Sequence, residues 1–596
     1  MSKRLVALFG VGVIVLAACG TATSPAPAGT PTTAPTSLPT AAPTSEPPPA
    51  LDGSTYKADD VGNRGGTLVL AEWQTITTLN YYYNQAFTDS EALTPAFLGL
   101  VDTAFDLKYV PELSSNVPLV TNGGVTINGT KMDVEYNLID INWSDGTPIT
   151  CADVEATRAW QMDPTQSGLS AGTVGVEDIE SIEDAGGGKC IVHFDKFFAG
   201  YIGLPGSPLL PKHYLDTVPV AEASSKLYPL ADVASGVYSG PYIPTEYVAD
   251  AQLTYGPNAE YWTAFGKDAP FEQVIFKYYP DNPDGMIAGF TQGESDLAMN
   301  LNHADLPKLE GMEKVLQEDT FTYENLSINN KTLREKFGDA DVLPIKQAIA
   351  LATDKQEVTD KALGGTVQPM GTNNISPFAW YFKEEPASTY DPDAAEKLLT
   401  DAGWATGPSG FLEKGGKVLE LLYCTSTRPY RIDALNLMAA QLAKIGIKVD
   451  PTPVPAQPNF FGEWDAVADD TPCNLIHGNY DVGMFAWVAP LDPTGSYNVY
   501  HTRGIPDDPP HSGQNNTRTS IPELDAAWDE VISNIDPVKI RDAMHVVQDV
   551  YSSNVIEIPL FYWKNVYLVN PKLHNVTGNP TTATVVWNIE DMWREP

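Results

Sequence analysis

Hydrophobic and polar residues change rhythm along this chain, and each rhythm predicts an element. Over 321–328, Phe321, Tyr323 and Ser327 alternate with Leu326 and Ile328, a period of two that predicts a strand. The polar pair Asn329–Asn330 then offers a turn. Pro344 opens a helix, since proline is tolerated in a first helical turn, and Ile345, Ala348, Ile349 and Ala352 fall on one face. Asp354 with Glu357 three residues on reads as a capping box for a second helix, which Gly364–Gly365 stops. This strand, turn and helix pair is expected to carry the chain from one half of the molecule into another.

The same reading places strands at 67–70, 134–141, 189–194, 271–278, 418–423, 446–449, 480–487 and 556–562. Helices are expected from Ala152–Asp153, over 284–290, after the cap Asp391–Pro392, and over 431–445. Strands that alternate with helices through the second half give an α/β class.

Composition narrows the choice of partner. The chain has 596 residues, room for several structural units, and a formal charge of −40. So acidic a surface repels nucleic acid and anionic lipid. Lys3 and Arg4 precede an apolar run, Leu5–Leu16, that is short for a membrane span, and 1–18 reads as a signal peptide. Leu16-Ala17-Ala18-Cys19 resembles a bacterial lipobox, which implies a lipid on Cys19. Residues 19–62 are rich in Thr, Pro, Ala and Ser and are expected to form an unfolded tether. Cys151, Cys190, Cys424 and Cys473 lie in no CxxC spacing. One disulfide in each half, or four buried thiols, fits their positions in an oxidising compartment.

Catalytic motifs are few. Gly168-Leu169-Ser170-Ala171-Gly172 matches G-x-S-x-G, which needs a strand before it and a helix after it to expose a nucleophile. Here a helical run precedes it, so a loop is expected. No H-E-x-x-H, P-loop or EF-hand pattern occurs, and no metal or cofactor is predicted. Aromatics gather near chain breaks, among them Tyr81–Tyr83, Phe87, Trp380–Tyr381, Trp487, Tyr497, Tyr500 and Tyr562, as core or as the lining of a binding site.

Several motifs in order carry a resemblance. They are Leu98-Gly99-Leu100-Val101 with Pro111-Glu112-Leu113, then Trp143-Ser144-Asp145-Gly146-Thr147-Pro148-Ile149-Thr150 with Ala152-Asp153-Val154. Pro208–Leu215, Ser239-Gly240-Pro241-Tyr242, Gly293-Glu294-Ser295-Asp296 and Ala352-Thr353-Asp354-Lys355 follow. Tyr390–Leu399 with Ala402-Gly403-Trp404, and Ile556–Tyr562, complete the set. Together they resemble family 5 extracellular solute-binding proteins, the peptide- and nickel-type receptors of ABC importers; Cys151 departs from the family's small residue.

The resemblance implies a two-lobe periplasmic-binding-protein fold (type II, cluster C) and no enzyme activity. It divides the chain into lobe one (63–104, 235–328 and 555–596), an extra subdomain of lobe one (105–234), and lobe two (329–554). It implies a monomer that holds a small solute, peptide or oligosaccharide, between its lobes for permease subunits, outside the cytoplasm. Contact with the membrane would be through the lipid anchor only, at the outer face of the cytoplasmic membrane. Ligand contacts carried over are Tyr83, Gln85, Phe87, Trp487, Val488, Asp492 and Tyr562. Peptide-binding members place an aspartate just after the tryptophan; Pro490 stands there, and Asp492 matches a later acid–proline pair. The rival readings are a lipoprotein hydrolase using Ser170 and a sensory or adhesive module.

Overall fold

A mixed sheet of ten strands forms the frame of this computed structural model. Residues 52–596 are described, apart from 85, 171, 207, 378, 385–387, 490–491 and 535. Cys19, Gln85 and Pro490 thus lie outside the described residues, as do the signal segment and most of the tether. The strands are β1 (Thr67–Glu72), β2 (Tyr242–Val248), β3 (Gln252–Pro257), β4 (Gln273–Tyr278), β5 (Leu297–Leu301), β6 (Val315–Ile328), β7 (Glu420–Ser426), β8 (Lys448–Val454), β9 (Val482–Val488) and β10 (Glu557–Val569). Their spatial order is β8-β7-β9-β6-β10-β5-β1-β4-β3-β2.

The two long central strands belong to both ends of the sheet. Val315–Asp319 of β6 pairs with Lys564–Leu568 of β10, on the side of β5. Tyr323–Ser327 pairs with Glu557–Tyr562, on the side of β9. The register shifts between these stretches, after Asp319, and again within the second, after Glu324. Each end has its own core. Leu68, Leu70, Val274, Phe276, Tyr567 and Val569 pack in one; Leu326, Ile328, Leu421, Val482, Met484 and Ile558 pack in the other. Alternation in β10 therefore feeds two hydrophobic cores in succession, and the fold is the two-lobe α/β arrangement.

Helices follow the patterns that predicted them, with shifted ends. In lobe one, α1 (Phe87–Leu93) follows β1. In the subdomain, Thr150 and Asp153 form a capping box that starts α2 (Cys151–Gln161). A four-stranded antiparallel sheet there joins 125–128, 131–137, 189–194 and 179–186. Cys151 is bonded to Cys190 and Cys424 to Cys473, with Cα separations of 5.6 and 5.5 Å.

Asn329–Asn330 is not a simple turn. The Asn329 side chain accepts from the Lys331 and Thr332 N–H groups and caps a helix, Asn330–Phe337. The next helix, α3 (Asp339–Ala352), begins before Pro344 and carries it inside. Ile345, Ala348, Ile349 and Ala352 are all buried, as the spacing requires. In α4 (Lys355–Ala362), Asp354 accepts from the Glu357 N–H, while the Glu357 carboxylate turns to Lys361 and Gln441. Asp391 caps α5 (Pro392–Asp401) through the Ala394 N–H at 2.9 Å.

Order also begins earlier than the tether reading expected. Asp52 bridges to Tyr109, and Tyr56 packs edge-on against Trp587 at 4.6 Å while donating to Asp591. A single aromatic in a polar tail has found a pocket on lobe one.

Candidate functional site

Lobe two meets lobe one through a few specific contacts. Strand β7 ends at Ser426, and Pro429 in its first turn starts α6 (Pro429–Lys444). The linker residue Arg428 is thereby held out from lobe two and buried against lobe one. Its guanidinium lies 4.2 Å from the Trp73 ring, and Nη2 donates to the Asn300 carbonyl at 2.8 Å. The side chain of Asn300 donates to both Glu72 and Glu91, at 2.6 and 2.7 Å. Burial pushes the Glu91 carboxyl up to about 7.

The subdomain closes on lobe two at its other edge. Arg503 Nη2 reaches both oxygens of Glu177 at 2.6 Å. Gly168 N–H donates to the Pro510 carbonyl, Gly513 N–H to Leu169, and Ala199 N–H to Ile532. Gly168 and Gly172 have φ of +74° and +67°, and a Cβ on Gly172 would meet Asn498 at 2.5 Å. The glycines of G-x-S-x-G thus serve a close approach between chain segments. Ser170 is buried in a bend, its hydroxyl donating to the Tyr82 carbonyl at 3.2 Å.

Some side-chain polar atoms of both lobes are buried without protein partners. Gln74 Nε2 and Asn80 Nδ2 come from lobe one; Arg428 Nη1 and Glu463 Oε1 come from lobe two. Such groups cost free energy when left unmade and are normally satisfied. The loop Phe461–Asp465 brings Glu463 to the lobe boundary. A Cβ on Gly168 of the subdomain would lie 3.9 Å from Trp464 Cβ and 4.0 Å from Asp465 Oδ2. Trp464 is held there by stacking on His511 at 3.9 Å and on His477 at 4.2 Å. Burial, then the like charges of Asp89 and Asp465, push the Glu463 carboxyl well above its ordinary value. Asp89 lies in α1 and accepts from Thr77 N–H and Oγ1.

The carried-over residues fall into four kinds of surroundings. Trp487 and Val488 sit half-buried at the end of β9, opposite Tyr323 and Thr322, with the Trp487 ring 5.3 Å from Phe485. Tyr562 on β10 is half-buried and donates to the Ile375 carbonyl at 2.8 Å. Tyr83 is buried and donates to Gln166 Oε1 at 2.7 Å, and Phe87, half-buried, begins α1. Asp492 caps the turn Pro493–Ser496 through the Thr494 N–H at 2.9 Å, and burial raises its carboxyl. Arg428 and Glu463 were not singled out from the sequence. The only signal for Glu463 was an acid set inside Phe460-Phe461-Gly462-Glu463-Trp464.

A separate cavity of about 460 Å³ lies away from this boundary, in lobe one and its subdomain. Phe97, Trp262 and Trp587 wall it, and Asp102, Glu112 and Glu590 face it.

Known proteins share the frame. The oligopeptide-binding protein AppA of Bacillus subtilis is 24% identical over 465 residues, 76% of this chain and 79% of the relative. The solved structure of AppA with a nonapeptide superposes with a TM-score of 0.77 at 21% identity, covering 90% of this chain and 100% of that one. NikZ of Campylobacter jejuni, solved with Ni(L-His), gives 0.73 at 20% identity, covering 89% and 99%. Residues 126–506 match the family described as bacterial extracellular solute-binding proteins, family 5 Middle, and the chain belongs to that family.

Proposed function

We propose that this protein captures a peptide-class solute between its lobes and delivers it to the permease of an ABC importer. It works as a monomer outside the cytoplasm, tethered by a lipid on Cys19 to the outer face of the cytoplasmic membrane. The observation that carries this reading is that both lobes bury polar atoms with no protein partner, Gln74 Nε2 and Asn80 Nδ2 in lobe one and Arg428 Nη1 and Glu463 Oε1 in lobe two. A solute that satisfied them would touch lobe one and lobe two together. Only such a solute binds the closed form better than the open one and so drives closure.

Trp487 supplies an aromatic face, and Arg428, Gln74 and Asn80 supply donors. Peptide is favoured as the solute class by the AppA likeness in sequence and fold together. The lobes are proposed to rock about β6 and β10 where their register breaks, near Asp319–Tyr323 and Tyr562–Lys564. That pivot lies short of the Asn329 cap and inside the continuous strands. Lobe two in this reading runs from the pivot through 554 and includes the first part of β10.

Native mass spectrometry of protein purified from its source tests the solute class. Retained masses that fragment as peptides are expected. Retained masses that fragment as hexose units would replace peptide with oligosaccharide. Loss of membrane retention in Cys19→Ser tests the anchor; full retention after signal removal would overturn it.

A further inference from the structure

We propose that the cavity in lobe one and its subdomain is a second binding site, for a small aliphatic amine of the diamine or polyamine class. The proposal is independent of the solute held between the lobes. The volume of about 460 Å³ is that of a small-molecule pocket. Segments far apart in sequence, 81–112, 261–267 and 581–591, supply most of its walls.

The walls offer ring surface in place of hydrogen-bond donors. Trp262 and Trp587 both line the cavity, and the N–H of each is already spent. They donate to the carbonyl oxygens of Pro241 and Thr577, each at 2.9 Å. Tyr56 packs edge-on against Trp587 at 4.6 Å and fixes that ring. Phe97 adds to the lining.

Charge gives these walls a direction. Asp102, Glu112, Glu590 and Asp591 line the cavity against one cation, Lys267. The Gly99 N–H donates to Glu112 Oε2 at 2.6 Å and fixes that carboxylate. Asp591 accepts from the Tyr56 hydroxyl at 3.1 Å. Backbone N–H groups donate to Asp102 and Glu590, from Thr103 and from Glu590 itself. Burial pushes the Asp102 carboxyl up to about 6. Burial, then Asp591 and Asp102, push Glu590 up to about 8, and Lys267 offsets part of that.

Acids so placed hold protons or a cation. Protons would neutralise the oxygens and make no use of the ring-lined volume beside them. A divalent ion asks for a shell of oxygens, which ring faces do not give. Among the described residues no three His, Cys, Asp or Glu side chains group as metal ligands. An alkyl ammonium uses both kinds of wall. Its N–H groups donate to carboxylates and accept nothing, its charge is drawn to aromatic faces, and its methylenes are buried against them.

Calorimetric titration of spermidine into the processed protein tests the proposal. We expect one saturable site per chain, tighter at about pH 8 than at about pH 6, because the amine displaces protons from Asp102 and Glu590. Glu112→Gln with Glu590→Gln should weaken binding by about tenfold or more. Glu335→Gln with Glu396→Gln removes the same charge from exposed helix positions and should leave it unchanged. If the cavity pair lowers the melting temperature, Glu112→Gln alone, which keeps an acceptor for the Gly99 N–H, replaces it. Absence of a saturable site overturns the proposal, as does undiminished affinity in the folded cavity variant. Equal loss in the surface pair would make the binding a general attraction to an acidic protein and overturn it too. Magnesium bound as tightly, and lost in the same cavity variant, would overturn the organic class. Spermidine binding lost in Trp487→Ala and kept in the cavity variant would place the amine between the lobes, overturning this site and leaving solute capture standing.

Discussion

Two glutamates, Glu324 buried and Glu463 half-buried, differ in how the fold meets their oxygens. Glu324 on β6 accepts four hydrogen bonds: from Arg431 Nε and Nη2 at 2.8 and 3.1 Å, from the Tyr430 hydroxyl at 2.9 Å, and from Trp563 Nε1 at 2.9 Å. Its partners come from α6 and β10, so it ties a helix to both central strands. Glu463, at the lobe boundary, has an oxygen with no partner at all. The protein neutralises the first charge with its own residues. For the second, one oxygen has no hydrogen-bond partner among the described residues. A carboxylate is thus tied into the architecture where its hydrogen bonds close within the fold, as those of Glu324 do.

The strongest way to break that comparison is Glu324→Ala. Removing one partner leaves Arg431 buried and unpaired, which should cost about 3–5 kcal/mol in denaturant unfolding. A loss near zero would mean that Glu324 is no more structural than Glu463.

Trp487→Ala comes next. The residue is half-buried at the end of β9, so the lobe should stay folded. Losing a hot-spot aromatic should weaken solute binding by about 2 kcal/mol, roughly thirtyfold. Affinity unchanged in a titration with the retained solute would remove Trp487 from the site.

Glu557 sharpens the comparison from an intermediate position. It accepts from Tyr551, Tyr500 and Tyr323, at 2.8, 3.1 and 3.2 Å, yet has no cation among these partners. Burial pushes its carboxyl up to about 7, against the lowering effect of the three tyrosines and Trp487. The folded state therefore keeps a proton that the unfolded chain releases near the ordinary value of about 4.3. Its contribution is full below that value and declines as pH rises to about 7. Melting temperature should fall across that window, and Glu557→Gln should make the fall shallower. An identical slope in the variant would show that the tyrosine cluster does not set it.

The smallest expected effect belongs to Glu463→Gln without solute. Replacing an unpaired acid by its amide should change stability by less than about 1 kcal/mol, and upward if at all. A loss of several kcal/mol would place a structural partner on Glu463 and end the contrast with Glu324.

The sequence made the architecture legible where the apolar residues of one face gather in one core. Leu326 and Ile328 alternate cleanly because both reach the lobe-two core, and the α3 face repeats because Ile345, Ala348, Ile349 and Ala352 share one buried stripe. The first half of β6, Val315–Thr320, was not read as strand: its apolar and charged residues do not alternate cleanly, and its pairing with Lys564–Leu568 comes from far along the chain. Asn329 misled because the same side-chain acceptor that closes a turn also caps a helix. Pro344 misled because it lies past the first turn of α3, where its missing N–H costs a helical hydrogen bond that burial of the Ile345, Ala348, Ile349 and Ala352 face offsets.

The candidate site was less legible for a related reason. Aromatics near strand ends, Trp487 and Tyr562 among them, stand out by composition. Whether an acid is paired is a property of contacts made across the fold. Nothing local separates Glu324, held by Arg431, from Glu463, whose oxygen is open.

The central claim is that the lobes close on a solute by pivoting at the break in β6 and β10. Small-angle X-ray scattering tests it most directly, on protein stripped by partial unfolding and refolding, with and without saturating amounts of the solute retained from its source. The account predicts a smaller radius of gyration on saturation, and no such change in protein whose lobes are cross-linked closed. An unchanged scattering curve at saturation, with binding confirmed in the same sample, would contradict it.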